Sequence, residues 1–163
     1  SKALGIIIDM DITLKLQDDL HQAMKTRDDA GKRVVRMLLA GLKLAEVAKG
    51  AALDQTEFLA LVQKEIKIRN EAMADASKAH RADLIAENQA ELERLFTYLP
   101  TQLTEAELLE KARAAIAETD AKSVKDMGRV LKLLLPNLAG KASNADASKA
   151  VKSCLEAMEQ DGQ

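Results

Sequence analysis

Apolar residues recur every three or four positions along nearly the whole chain, and only two prolines interrupt them. That spacing is the period of an α-helix, and it gathers one apolar stripe per segment. Phe58, Val62, Ile66, Met73 and Ala76 show it best, at spacings of four, four, seven and three, with charged residues filling the other faces. A long helix with one narrow stripe predicts a second arm packed against it as an antiparallel hairpin. Strand formers are scarce: the aromatic residues are Phe58, Phe96 and Tyr98, with no tryptophan. Strands favour aromatic and β-branched types, so the expectation is an all-α protein.

Local signals then divide the chain into seven expected helices. The first runs from about Ile12 to Thr26, ending where Asp28, Asp29 and Gly31 interrupt it, and the second from Lys32 to Lys49, before Gly50. Asp54 with Glu57 is a capping-box pattern that opens the third, the arm carrying Phe58 to Ala76. The fourth, about Arg81 to Leu99, supplies the other arm and ends at Pro100, which cannot continue a helix. Thr104 with Glu107 opens the fifth, to about Glu118; Asp120 or Ser123 opens the sixth, which should stop near Pro136. Asn137 to Lys141 reads as a loop, and Ser143 with Asp146 opens the last helix, to about Gln160. The expected organisation is an N-terminal helical domain over 10–100 with the long hairpin, then a three-helix bundle over 101–163. Residues 1–9 read as an upstream extension or added sequence, with Met10 as a native start. The apolar run Ala3–Ile8 is far shorter than the ~18 residues of a spanning helix, so no membrane segment is expected.

Chemistry-bearing constellations are few. His21 and His80 have no second ligand at metal spacing, so neither a metal nor any other cofactor is expected. Cys154 lies in the stripe Val151, Cys154, Leu155, Met158 and reads as a buried, inert thiol. One cysteine cannot form an internal disulfide, which fits a reducing compartment, and a cytoplasmic location is expected. No nucleophile elbow, glycine-rich phosphate loop or paired acid and base can be picked out, so no catalytic residue is assigned.

One charge pattern stands out on a chain of net charge −2. Residues 121–152 contain Lys122, Lys125, Arg129, Lys132, Lys141, Lys149 and Lys152 against Asp126 and Asp146, an excess of five positive charges. On a continuous sixth helix Lys122, Lys125, Arg129 and Lys132 would share about 80° of arc. Such a ridge suits phosphates, whereas the lack of interleaved aromatics argues against reading single-stranded bases. The alternative is a merely solvated helix face.

Ordered landmarks extend the reading. They are Leu20-His21-Gln22-Ala23-Met24-Lys25 with Asp28, Arg36-Met37-Leu38, Lys64-Glu65-Ile66-Lys67-Ile68-Arg69, Glu91-Leu92-Glu93, Tyr98-Leu99-Pro100 before Gln102-Leu103-Thr104, Lys125-Asp126-Met127-Gly128-Arg129-Val130, and Gly140-Lys141-Ala142. In this order the chain resembles the GatB/YqeY family. That family joins YqeY proteins to the tail domain of the B subunit of the glutamine-dependent aspartyl/glutamyl-tRNA amidotransferase. The resemblance implies contact with tRNA through the tail-like bundle. It also implies a link to carbon–nitrogen ligase chemistry with glutamine as amido donor, whose catalytic domains are not part of this chain. It points to Lys125, Gly128, Arg129 and the loop Gly140-Lys141-Ala142. Many relatives place Asp directly after that Gly-basic-Ala run, whereas here Ser143-Asn144 intervenes.

The expected function is therefore non-catalytic binding of tRNA or structured RNA through Lys122, Lys125, Gly128, Arg129, Lys132, Gly140 and Lys141. The rival expectation is a protein–protein adaptor using the hairpin of residues 54–99, with Val62, Ile66 and Met73 facing a partner wherever the other arm leaves them uncovered. Amide formation by this chain alone is the least expected outcome.

Overall fold

The computed structural model describes residues 11–162, and the reading of residues 1–9 falls outside them. The described residues form seven α-helices and no strand, so the protein is all-α. The chain divides into two compact units, Ser1–Pro100 and Thr101–Gln163.

In the first unit α1 spans Ile12–Lys25, α2 Asp29–Lys49, α3 Gln55–Lys78 and α4 Ala82–Phe96. The starts of α1, α2 and α3 are each set by a side chain that satisfies free helix N–H groups, whereas α4 begins without a side-chain cap. The Asp11 carboxylate accepts from the N–H of Thr13 at 2.8 Å, Asp28 from Gly31 at 3.1 Å, and Asp54 from Glu57 at 2.8 Å. The Asp28 cap corrects the expected boundary at Lys32, because α2 begins three residues earlier and takes Gly31 into its first turn. There the missing side chain is required: a Cβ on Gly31 would run into the Asp28 carboxylate. α3 ends through His80 in the left-handed region, φ 55°. α4 stops at Phe96, and Thr97–Leu99 turn away before Pro100, which disfavours helical angles at the residue preceding it.

α3 and α4 form the hairpin, while α2 packs on α1 and on both hairpin arms. Leu16, Val34, Leu38, Phe58, Val62 and Leu95 fill the core, and the Phe58 and Tyr98 rings meet edge to face with centroids 6.1 Å apart. Val62 and Ile66 are buried in this core and Met73 packs against it. The hairpin's second arm therefore covers the stripe that the adaptor reading needed uncovered.

The second unit is a three-helix bundle of α5 (Glu105–Thr119), α6 (Met127–Leu138) and α7 (Asn144–Asp161), each packed on the other two. The capping box at α5 is complete: Thr104 Oγ1 accepts from the Glu107 N–H, and Glu107 Oε1 accepts from the Thr104 N–H. Ser143 Oγ accepts from the Asp146 N–H at the start of α7. Ala112, Ala147 and Ala150 sit buried among Leu108, Val130, Leu134 and Leu155, and their small side chains let the helices approach closely. Cys154 is buried with them.

Two boundaries of the sixth helix differ from expectation. It does not run unbroken from Asp120 or Ser123: Asp120 adopts φ 53°, a 3-10 turn spans Val124–Asp126, and α6 begins at Met127. The Asp126 carboxylate accepts from the N–H groups of Lys122 and Ser123, and Glu159 of α7 accepts from Val124, which holds the entry as a separate turn. α6 also passes through Pro136 to Leu138. Burial of Leu138 and a bond from Asn137 Nδ2 to the Leu133 carbonyl keep the last turn helical.

Candidate functional site

The cations read from the sequence separate into two groups in the second unit. Lys125, in the 3-10 turn, and Arg129 and Lys132, on α6, follow one another at spacings of four and three, and all are exposed. Gly128 lies among them, exposed, and a Cβ placed there would meet nothing within 4 Å. The backbone is thus uncrowded at this one position, between Lys125 and Arg129 in sequence.

Lys122 does not continue this row. It precedes the 3-10 turn, and its ammonium pairs with Asp120 at 2.9 Å, so the single arc of four cations expected from the sequence is replaced by a row of three. Arg129 lies 3.4 Å from Asp126. Among the described residues Lys125 and Lys132 make no ion pair. Asp126 is held below the ordinary carboxylate range by the N–H groups of Lys122 and Ser123, then by Arg129. It stays ionised and offsets part of the local positive charge.

Gly140 and Lys141 stand just past the other end of α6, whose last residue, Leu138, is about 15 Å from Gly128 along the axis at 1.5 Å per residue. This loop is anchored from the start of the unit. Gln102 Nε2 donates to the Gly140 carbonyl at 2.8 Å, and the Leu103 N–H donates to the Lys141 carbonyl at 2.8 Å. Ala139 and Gly140 both have positive φ, 49° and 78°, which reverses the chain between α6 and α7. Lys141 is exposed and close enough to Glu107 to help hold that carboxylate low, after the Thr104 cap bonds. Lys125, Gly128, Arg129 and Lys132 thus stand in the turn before α6 and in its first half, whereas Gly140 and Lys141 lie beyond its end.

A second polar cluster, in the first unit, was not assigned from the sequence. A cleft of about 340 Å³ is lined by Lys15, Asp19, Thr26, Asp28, Arg94 and Tyr98. Tyr98 donates its hydroxyl to Asp19 Oδ2 at 2.5 Å, and Lys15 holds the other carboxylate oxygen at 2.5 Å. Burial, then the Asp19 carboxylate, pushes the Tyr98 phenol far up, so it remains a hydrogen-bond donor. Arg94 forks onto both oxygens of Asp28, at 3.2 and 2.9 Å. These partners are 79 and 66 residues apart in sequence, beyond the reach of helical periodicity. Tyr98 as the single tyrosine and Asp28 as a cap were the available signals. The lining holds two cations and two anions already paired, so it offers no excess charge to a ligand. Among the described residues no group of three or more His, Cys, Asp or Glu side chains is placed to hold a metal ion, and no helix is long and apolar enough to cross a membrane.

The Asp28 carboxyl is lowered from its ordinary 3.8 by its bond to Arg94, then by the Gly31 N–H. A lowered folded-state pKa adds stability above the unfolded value and loses it as pH falls through the folded value. Asp28→Asn keeps a capping oxygen but removes the charge. The wild-type chain should therefore outmelt this variant by about 1 kcal/mol at neutral pH, the pair being partly exposed. That margin should vanish as pH drops below 3.8, as followed by circular dichroism melts.

Comparison with known proteins gives these landmarks their context. The profile of the YqeY family, described as Yqey-like protein, matches residues 13–155. The chain belongs to the YqeY-like family. Its YqeY relatives include "Altered inheritance of mitochondria protein 41, mitochondrial" of Lachancea thermotolerans, 34% identical over 91 residues, 55% of this chain and 49% of that protein. The protein of the same name from Pyrenophora tritici-repentis is 26% identical over 146 residues, 86% of this chain and 79% of that protein. The matched stretch spans about half the length of the first of these relatives. The cytoplasmic expectation is overturned here: these YqeY relatives are named as mitochondrial proteins, and a lone cysteine cannot tell one reducing compartment from another.

Proposed function

We propose that this YqeY-family chain is a non-catalytic accessory protein that binds tRNA or another structured RNA through its C-terminal unit. The observation that carries the reading is the exposed row Lys125, Arg129 and Lys132 beside the uncrowded backbone of Gly128. Long cations reach phosphates from a short distance, and bare backbone lets the phosphate chain approach between them. Paired RNA is read mainly by shape and backbone, which requires no stacking aromatics, and none lies in this unit. Lys141, on its anchored loop at the far end of α6, would hold a separate phosphate, with Gly140 shaping the loop. Lys122, drawn to Asp120, contributes less than the sequence suggested. The link to tRNA-dependent amidotransferases enters only through the resemblance of this bundle to their tail domain. The relatives' names direct a search for the RNA partner to the mitochondrion.

The test is fluorescence anisotropy with labelled tRNA across a salt series. The combined Lys125→Glu, Arg129→Glu and Lys132→Glu variant should bind at least about a hundredfold more weakly, with a shallower salt dependence, and keep its helical melt. Unchanged affinity in a folded variant would sink the proposal.

A further inference from the structure

The cleft of the first unit gathers Lys15, Asp19, Asp28 and Arg94 against the apolar walls of Ala23 and Val35. None of the four charged side chains is more than 36% exposed. Just outside, Arg33 acts on Asp28 and Glu93 pairs with Arg94, adding one charge of each sign. The cleft is therefore neutral overall yet presents both signs, and its charges are fixed by protein partners before anything binds. Their hydrogen-bonding capacity is only partly used. An ammonium has three N–H donors, and each carboxylate oxygen has two lone pairs. Lys15 spends one N–H on Asp19, and Arg94 Nη2 spends one of its two on Asp28. Each Asp19 oxygen accepts once, from Lys15 or from the hydroxyl of the buried Tyr98, and Asp28 Oδ2 accepts once, from Arg94 Nε. Among the described residues this leaves open two N–H groups of Lys15 and one of Arg94, two lone pairs of Asp19 and one of Asp28.

We infer that this cleft binds a free α-amino acid in its zwitterionic form. The ligand's carboxylate takes the open N–H groups of Lys15 and Arg94, and its ammonium takes the open lone pairs of Asp19 and Asp28. A ligand of one sign would be drawn to one member of each pair and repelled by the other. A zwitterion matches both, and the fixed partners spare much of the cost of ordering the site on binding. A volume of about 340 Å³ lies at the small end of ligand cavities, roughly 300–1,000 Å³, which suits a molecule of this size. Ala23 and Val35 offer its carbon atoms an apolar wall. The inference goes beyond RNA binding, which is proposed for the other unit, and stands without it.

The experiment is titration of the full chain with each standard amino acid in turn, read by NMR at the backbone amides of Gly31 and Thr97, which line the cleft. At least one amino acid should shift both signals saturably. Its N-acetyl derivative lacks the ammonium and its C-terminal amide lacks the carboxylate, and each should bind at least about tenfold more weakly. Lys15→Met and Arg94→Gln should each weaken binding by a similar factor, while the amide spectrum stays that of a folded chain and tRNA affinity is unchanged. No saturable shift with any amino acid would overturn the proposal. So would blocked derivatives that bind as tightly as the free amino acid, or wild-type affinity in both variants.

Discussion

Phe58→Ala should destabilise the N-terminal unit by about 3–5 kcal/mol, a large fraction of what a domain of this size possesses. Phe58 is 1% exposed, and its ring meets the edge of Tyr98, whose hydroxyl is held by Asp19. Removing the ring opens a cavity among Leu16, Leu38, Val62 and Leu95 and also frees Tyr98 from one wall of its site. A single aromatic pair adds about 1 kcal/mol beyond area burial, so most of the loss comes from the cavity. Phe58→Leu should cost much less, because it keeps most of the volume. Urea unfolding followed by tyrosine fluorescence reads this directly, since Tyr98 is the only tyrosine and there is no tryptophan. A loss under about 1 kcal/mol would show that the site collapses around the smaller side chain.

Arg69→Ala should cost a similar amount, about 3–5 kcal/mol, for an electrostatic reason. The Arg69 side chain is 5% exposed. Its Nη1 donates to Glu65 Oε2 at 2.7 Å and to the Glu65 carbonyl at 3.0 Å, and its Nη2 donates to the Met37 sulfur and lies 3.9 Å from Glu91. Arg33 approaches the same Glu91 oxygen at 3.5 Å, so the network ties α2, α3 and α4 together. Without Arg69, Glu91 remains buried with only the half-exposed Arg33 beside it. Among the described residues Nε of Arg69 finds no hydrogen-bond partner, so the arrangement already bears one unmet donor. Adding Glu91→Leu to Arg69→Met should recover the part of the loss owed to Glu91, while Glu65, 2.7 Å from Arg69 in the wild-type chain, still lacks its partner. A double variant as unstable as the sum of the single ones would refute that account.

The helices were legible in the sequence wherever a short-range rule governs them. Asp54, Thr104 and Ser143 open helices where their side chains can reach an N–H three residues ahead. The narrow stripe from Phe58 to Ala76 called for the second arm that covers it. Errors arose where distant residues decide. The carboxylate of Glu159 on the Val124 N–H helps set the 3-10 turn before α6, and Leu138 is kept helical past Pro136 by burial. The candidate site was half legible. Its cations could be counted, but a count over residues 121–152 omits Asp120, which lies one position outside that window and takes Lys122. The Tyr98–Asp19 and Asp28–Arg94 pairs join residues that only the fold brings together.

Gly128 gives the proposed interface a cost in rigidity. It occupies the first turn of α6, where no neighbour crowds it and alanine would fit. Glycine there forgoes roughly 0.5–1 kcal/mol of helix stability relative to alanine. Under the RNA-binding reading, thermal robustness and grip pull in opposite directions at one atom. A methyl group added at Gly128 would toughen the bundle while holding the phosphate chain off its surface.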